Sequence, residues 1–257
     1  MLKSSLMKKI ALVTGGSRGL GKNMAIELAK KGMDVILTYH SNKEEACKVV
    51  SEIIELGQKS IALELDTRNV KSFEDFKIKI TEYLLKENGN RNFDFLINNA
   101  GTALYALFTE VSEEQMDEIY QIHYKGVFFL TQKFLPCIKQ GGGIINISSG
   151  LTRITMPGSS VYASLKAGVE TYTRYLAKEL SERKIRVNVV APGAVETDFG
   201  GGRVRDTLEI NKQISNVTAL GRVGLPDDIG SVVAFLCTDE AYWINGQRLE
   251  VSGGQAL

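Results

Sequence analysis

The sequence predicts an α/β fold: a single doubly wound domain whose mostly parallel, seven-stranded sheet carries helices on both faces. Three observations point there. Short β-branched runs alternate with longer amphipathic stretches along the chain. A glycine-rich turn separates the first run from the first amphipathic stretch. No repeat, low-complexity tract or proline-rich linker divides the 257 residues, which hold only four prolines. Strands separated by helices return to the same end of a sheet, so they pair in parallel and are buried on both sides.

The elements follow in order. Residues 9–14 (KIALVT) read as a buried strand, and the turn after it opens a helix over 19–31. DVILTY at 34–39 is the second strand, followed by a helix over 43–56. The third strand is 60–65, with a charged amphipathic helix over 70–86, and FDFLIN at 93–98 is the fourth. A long helix covers 113–137, broken late by Pro136. Residues 143–148 form the fifth strand, 161–182 a helix and 186–191 (RVNVVA) the sixth strand. A helix over 226–236 and a strand over 247–251 complete the pattern. Residues 1–8 read as an N-terminal extension, with Met7 as an alternative start, and 9–257 as the one domain. The glycine-rich stretch 196–225, which carries Arg203 and Arg205, interrupts the alternation. An insertion there lies at the carboxyl edge of the sheet, where open α/β folds take ligands, so it reads as a substrate loop.

Composition narrows the function. The chain is 44% hydrophobic and 24% charged. That is the make-up of an ordinary globular protein. Lys plus Arg is 31 and Asp plus Glu is 30, a formal net charge of +1. Such a balance offers no field for nucleic acid or an anionic membrane surface. No apolar run approaches the ~20 residues of a membrane span. The start, MLKSSLMKKIALVTGG, is basic but runs into a glycine turn without a small-residue cleavage site, against a secretory signal. Cys47, Cys137 and Cys237 are scattered, and His40 and His123 are the only histidines. Neither a disulfide framework nor a metal site is expected, and the reading is a cytoplasmic protein with reduced thiols.

The turn itself is Thr14-Gly15-Gly16-Ser17-Arg18-Gly19-Leu20-Gly21. A glycine triplet alone fits an ordinary tight turn. Between a strand and a helix it lets backbone approach a pyrophosphate, with the helix N-terminus supplying N–H donors and partial positive charge. Its spacing, GxxxGxG, resembles that of the short-chain dehydrogenases/reductases, and the resemblance extends from about residue 9 to residue 254. Other landmarks of that family stand in order. They are Asp66 with Thr67 after the third strand, Asn98-Asn99-Ala100-Gly101 after the fourth, Ser149 after the fifth, Tyr162-Ala163-Ser164-Leu165-Lys166 as YxxxK, and Pro192-Gly193, Val195 and Thr197 after the sixth. The resemblance implies a Rossmann-type fold. It also implies that Asp66 meets the adenine edge, that Asn98, Ala100 and Gly101 line the cofactor, and that the segment from Pro192 to Thr197 packs the nicotinamide.

Nicotinamide sites that use NAD place an acid on the ribose hydroxyls about 20 residues past the glycines. Here the second strand ends in Tyr39-His40-Ser41, with no carboxylate to repel a 2′-phosphate. Arg18 in the turn can reach that phosphate with a guanidinium fork, and Ser41 and Lys43 can add donors. NADP(H) is the expected cofactor.

Tyrosine is a poor acid at neutral pH, its ordinary pKa being about 10, and a neighbouring ammonium lowers it. Tyr162 and Lys166 stand four apart on a helix and so share a face. By resemblance Lys166 also binds the nicotinamide ribose, and Ser149, thirteen residues before the tyrosine, polarises the substrate carbonyl. Ser148 faces the other side of its strand and ranks second. His123, three residues before Gly126, stands where many relatives carry a relay asparagine. An imidazole can hold the relay water or join the relay, and equally can be a satisfied structural histidine.

The C-terminal stretch from Ala219 to Gly254 resembles 3-oxoacyl-acyl-carrier-protein reductases and related bacterial carbonyl reductases. Of the two basic positions that receive the carrier there, Arg183 matches one and Gln140, beside Lys139, fills the other. The expectation is NADPH-dependent reduction of a ketone, a β-ketoacyl thioester among the candidates, to a secondary alcohol. An alcohol or sugar dehydrogenase is the alternative, and the arginines of the 196–225 loop offer contacts to an anionic substrate. A non-catalytic regulator is disfavoured because Ser149, Tyr162 and Lys166 are all present. Phe128, Phe129, Leu130, Phe134, Tyr172, Tyr175 and Leu176 give the helices over 113–137 and 161–182 more apolar surface than a sheet needs, which points to a homotetramer or homodimer.

Overall fold

Alternate side chains of β1 (Ile10–Val13) pack on opposite sides of the sheet: Ile10 and Leu12 toward one helical layer, Ala11 and Val13 toward the other. That double burial is why the strands read as apolar runs rather than alternating patterns. The computed structural model describes residues 8–257, so all of the extension read over 1–8 except Lys8 lies outside the described residues. The other strands are β2 (Asp34–Tyr39), β3 (Ser60–Glu64), β4 (Phe93–Asn98), β5 (Ile138–Ile147), β6 (Arg186–Pro192) and β7 (Arg248–Val251). They form one seven-stranded sheet in the order β3-β2-β1-β4-β5-β6-β7, with every pairing parallel.

Helices α1 (Gly19–Lys30), α2 (Lys43–Glu55) and α9 (Pro226–Leu236) cover one face, with Met24, Leu28, Val49, Ile53 and Val233 in its core. Helices α3 (Phe73–Asn88), α4 (Glu113–Tyr120), α5 (Gly126–Phe134) and α6 (Ser160–Glu179) belong to the opposite side, where Phe73, Phe76, Leu130, Phe134 and Leu176 make the second core. Strand order reverses between β1 and β4, which opens a crevice at the carboxyl ends of the strands.

Three expected elements differ. The fifth strand begins at Ile138, not at 143. Ile138 pairs with Phe93, the register then shifts, and Gly143 pairs with Phe95. Glycine permits this bulge. Gly141 adopts a left-handed backbone, and a Cβ on Gly142 would collide with the Asp94 carbonyl oxygen. The helix expected over 113–137 is two helices joined by a π-turn at Gln121–Lys125, where the Gly126 N–H donates to the Gln121 carbonyl five residues back. The 196–225 segment is more regular than expected. It contains α7 (Arg203–Asp206) and α8 (Leu208–Asn216) after three successive left-handed glycines, Gly200, Gly201 and Gly202.

Candidate active site

A cleft of about 750 Å³ runs along the carboxyl edge of the sheet, from the glycine turn to the 196–225 segment. At its floor the backbone approaches itself so closely that side chains are excluded. A Cβ on Gly21 would collide with the Gly15 carbonyl oxygen. One on Gly15, itself in the left-handed region that glycine tolerates best, would lie 2.9 Å from Ala100 Cα. No side chain caps the N-terminus of α1, so its first N–H groups point into the cleft without a side-chain partner, a setting that suits a phosphate. The Thr14 hydroxyl accepts from the N–H groups of Asn99 (2.9 Å) and Ala100 (3.0 Å), joining the ends of β1 and β4.

The sequence-predicted cofactor residues Gly15, Ser17, Arg18, Gly19, Leu20, Gly21, Tyr39, His40, Ser41, Asp66, Thr67, Ala100, Gly101, Pro192, Gly193, Val195 and Thr197 all line this cleft. Asn98 does not, and its expected cofactor role is corrected. As the last residue of β4 it turns into the sheet, where its amide donates to Thr131 Oγ1 (3.0 Å) and Asn146 Oδ1 (2.8 Å). Its neighbour Asn99 is the lining residue, donating to the carbonyls of Thr14 (2.9 Å) and Gly15 (3.1 Å) and so fixing the glycine turn. Lys43 does not line the cleft; Asn42 does, and it also caps α2.

At the β2 end, Arg68 is a lining residue that sequence reasoning misses. Its guanidinium grips Asp66 (2.9 and 3.0 Å) and holds that carboxyl below its ordinary range. His40 stands 3.7 Å from the same carboxylate. Arg18 is exposed and has no carboxylate partner among the described residues.

At the other end, Tyr162 and Lys166 project from one face of α6, both buried. Lys166 Nζ donates to the Ile147 carbonyl (2.7 Å) and lies 5.7 Å from the centre of the Tyr162 ring. Burial lowers the Lys166 ammonium to about 7. Burial also drives the Tyr162 phenol above its ordinary value, opposed by the Ser149 hydroxyl beside it. The expected lowering of the phenol by Lys166 is not what burial produces here: desolvation dominates, only the Ser149 hydroxyl opposes it, and the proton rests on Tyr162. Ser149 Oγ accepts from the Leu151 N–H (3.2 Å), which leaves its own hydrogen free to donate. The Ser148 hydroxyl, as expected, turns the other way and donates to Glu170 (2.7 Å).

His123 sits on the π-turn, buried, with its ring edge-on to Tyr162 at 5.0 Å between centres. Nε2 lies 2.7 Å from the Thr102 carbonyl and 3.3 Å from the Thr102 N–H. The shorter contact selects the tautomer with hydrogen on Nε2, donating to the carbonyl. Nδ1 is then a buried acceptor with no partner. Burial and Lys166 hold His123 well below its ordinary pKa, so the ring is neutral.

Beyond Tyr162 the cleft is lined by Tyr105, Ile154, Met156, Phe199, Val204 and Ile210. Phe199, Val204 and Ile210 fall in the 196–225 stretch read as a substrate loop, whereas Tyr105, Ile154 and Met156 carry no signal in the sequence. Phe199 stands 5.9 Å from the Tyr162 ring, and the Arg203 guanidinium lies 5.4 Å over Tyr105. Arg205 turns to Asp198 and Asp206, whereas Arg203 has no carboxylate partner among the described residues. Arg183 is occupied structurally, donating to the carbonyls of Leu135 (2.8 Å) and Ile138, and Lys139 pairs with Asp94 (3.0 Å). Among the described residues no helix is long and apolar enough to cross a membrane.

A glycine turn at the reversal of a parallel sheet, facing a buried tyrosine and lysine on one helix, defines a dinucleotide-dependent oxidoreductase. The family model described as "Enoyl-(Acyl carrier protein) reductase" matches residues 15–256. The hydroxynaphthalene reductase-like protein Arp2 of Metarhizium majus is 36% identical over 97% of this chain and 96% of its own. Among solved structures, the promiscuous reductase LugOII, described as catalysing keto-reduction at C1 during lugdunomycin biosynthesis, superposes with a TM-score of 0.92 at 37% identity, covering 99% of this chain and 100% of its own. The landomycin C-6 ketoreductase LanV, solved with NADP and rabelomycin, gives 0.89 at 32% identity, covering 98% and 97%. The chain belongs to the short-chain dehydrogenase/reductase family.

Proposed function

We propose that this protein is an NADPH-dependent ketoreductase whose substrate is a ketone on a flat, largely apolar ring system. The observation that carries the reading is the placement of Tyr162 and Ser149 between the glycine turn and the pocket of Tyr105, Ile154, Met156 and Phe199. Supporting it are relatives named for reducing hydroxynaphthalenes and polycyclic natural-product ketones, one of them solved with NADP. The cradle of Gly15, Gly21 and the uncapped α1 fits a pyrophosphate, and unpaired Arg18 suits a 2′-phosphate. Asp66, Thr67 and Tyr39 bound the adenine end, and Pro192, Gly193, Val195 and Thr197 the nicotinamide end.

Bound NADPH would supply the hydride. Ser149 Oγ donates to the ketone oxygen and orients the carbonyl. Tyr162, which keeps its proton because it is buried, passes that proton to the same oxygen as charge develops. Lys166 holds a loosely bound proton on the same helix face, near the phenol. Arg203, lying over Tyr105, offers a cation to an electron-rich oxygen of the ring. Because Arg183 is engaged with backbone, the reading favours a free ketone over a carrier-bound thioester. A ketone panel assayed with both cofactors tests it. Turnover of tetralone- or naphthol-type ketones with NADPH is expected, and activity confined to alcohols with NAD would overturn the reading.

The same reading gives His123 a part in proton supply. Its Nδ1 is a buried acceptor without a partner on a ring packed edge-on to Tyr162, so a small movement that admits a water would let it relay a proton to the phenol. His123→Leu should lower kcat on the order of 10–10²-fold with NADPH affinity intact, while His123→Asn retains most activity. Because burial and Lys166 hold the ring well below its ordinary pKa, the wild-type profile should show no ionisation from it at the ordinary histidine value. A change confined to melting temperature would return His123 to a structural role.

Assembly and location belong to the proposal too. Leu130, Phe134 and Leu176 are core residues, but Phe129 and Tyr175 are exposed beside a groove between α5 and α6 lined by Tyr124, Phe128 and Tyr172. A second copy covering that groove, in a homotetramer or homodimer, explains the surplus apolar surface, and sedimentation at micromolar concentration checks it. Cys137 and Cys237 are buried and Cys47 exposed, all unpaired, in keeping with a reduced cytoplasmic setting.

A further inference from the structure

We propose that Glu170 and Arg248 are positioning residues whose buried ion pair braces the turn carrying Ser149 and thereby sets its hydroxyl against Tyr162. The inference rests on the ketoreductase reading for its kinetic consequence but not for its structural one. Along α6, Tyr162, Lys166 and Glu170 are spaced four apart, so one helix face presents all three. The first two line the cleft; Glu170 lies one turn further along, behind it.

Glu170 Oε1 gathers three donors: Arg248 Nε (2.7 Å), the Ser148 hydroxyl (2.7 Å) and the Thr152 hydroxyl (2.9 Å). Arg248 comes from β7, two strands away from β5 across β6. Its Nη2 donates to the Ser149 carbonyl (3.3 Å) and to Thr152 Oγ1 (3.0 Å), and its Nη1 to Glu250 (2.9 Å). Thr152 Oγ1 stands 3.0 Å from the Ser149 carbonyl, so its single hydrogen serves that oxygen or Glu170. The pair therefore grips residues 148, 149 and 152, on both sides of the turn whose Leu151 N–H fixes Ser149 Oγ.

The side chains of the pair are only 10% and 12% exposed. A buried pair is weak as a source of stability compared with apolar packing, but its directional bonds fix geometry. Here the fixed object is the strand-to-turn junction. Ser148 and Ser149 face opposite ways, so anchoring one hydroxyl to Glu170 directs the other into the cleft. At β1 and β4 the exits along the cleft are held instead by neutral groups, Thr14 and Asn99.

The test compares wild type with Glu170→Gln, Arg248→Met, their double variant and the milder Thr152→Val. The readouts are turnover of a ketone substrate with its isotope effect, NADPH affinity, melting temperature, and amide hydrogen exchange of the peptide spanning 147–153. Each single variant at Glu170 or Arg248 should lower kcat by roughly 10–10²-fold, the scale of a small misplacement of a reacting group. NADPH affinity should be unchanged, and C4-deuterated NADPH should show a larger primary isotope effect on kcat than with wild type. The double variant should be no worse than the poorer single, since the pair acts as a unit. Exchange of 147–153 should quicken at least tenfold in all three variants, and Thr152→Val should move it the same way with folding least disturbed. Unchanged exchange in 147–153, or a lowered melting temperature with kcat and isotope effect unaltered, would overturn the brace. A wild type that reduces no ketone overturns the functional reading alone, and the exchange measurement still decides the brace.

Discussion

Tyr162→Phe should leave the protein folded and its NADPH affinity intact while lowering kcat on the order of 10²–10⁴-fold, the contribution of a positioned general acid. The substitution removes one buried hydroxyl and keeps the ring. The contacts with His123 (5.0 Å between centres) and Phe199 (5.9 Å) therefore persist. What is lost is the proton that burial holds on the phenol and the partner of the Ser149 hydroxyl. Kinetics at saturating NADPH, beside a fluorescence titration of cofactor binding, separate the two effects. A kcat within threefold of wild type would remove Tyr162 from proton transfer.

Arg18→Ala should erase the preference for NADPH over NADH. Loss of a charge-assisted phosphate contact costs about 1.5–3 kcal/mol, which is roughly a 10- to 100-fold weakening of NADPH binding. NADH affinity should hardly change, because the guanidinium has no ion pair among the described residues to lose. Dissociation constants for both cofactors give the answer, and an unchanged ratio would move 2′-phosphate recognition to His40, Ser41 and Arg68. The wild-type preference should itself shrink at high salt, since Arg18 is exposed.

Much of this site is legible in the sequence because its geometry is local. Gly15 to Gly21 is a single turn, and Tyr162 and Lys166 share a helix face whatever the rest of the chain does. The orientation of Ser148 against Ser149 also follows from strand parity alone. At Asn98 and Asn99 two identical residues stand side by side, and only parity tells which of them faces the cleft. The sequence shortens β5 because Gly141, Gly142 and Gly143 look like a turn, whereas in the sheet they make a bulge between Phe93 and Phe95. The π-turn has no signature of its own in QIHYK, since all five residues fit an ordinary helix. Long-range pairs are out of reach altogether: Arg248 meets Glu170 across 78 residues, and Arg203, which follows three left-handed glycines, meets Tyr105 from a distant part of the chain.

The π-turn between α4 and α5 is in effect a stored insertion. An α-helix advances about 100° per residue, so one surplus residue accommodated in a wide turn changes which side chain points at a given neighbour without moving the helix ends far. The turn is seated where a Cβ on Gly126 would collide with the Thr67 carbonyl oxygen, so the helix cannot shift sideways to absorb a change in length. Deleting one residue between Gln121 and Lys125 would restore regular winding and swing the residue at position 123 away from Tyr162. A change of one residue in the length of this segment would therefore exchange the group beside the phenol as effectively as a point substitution at position 123.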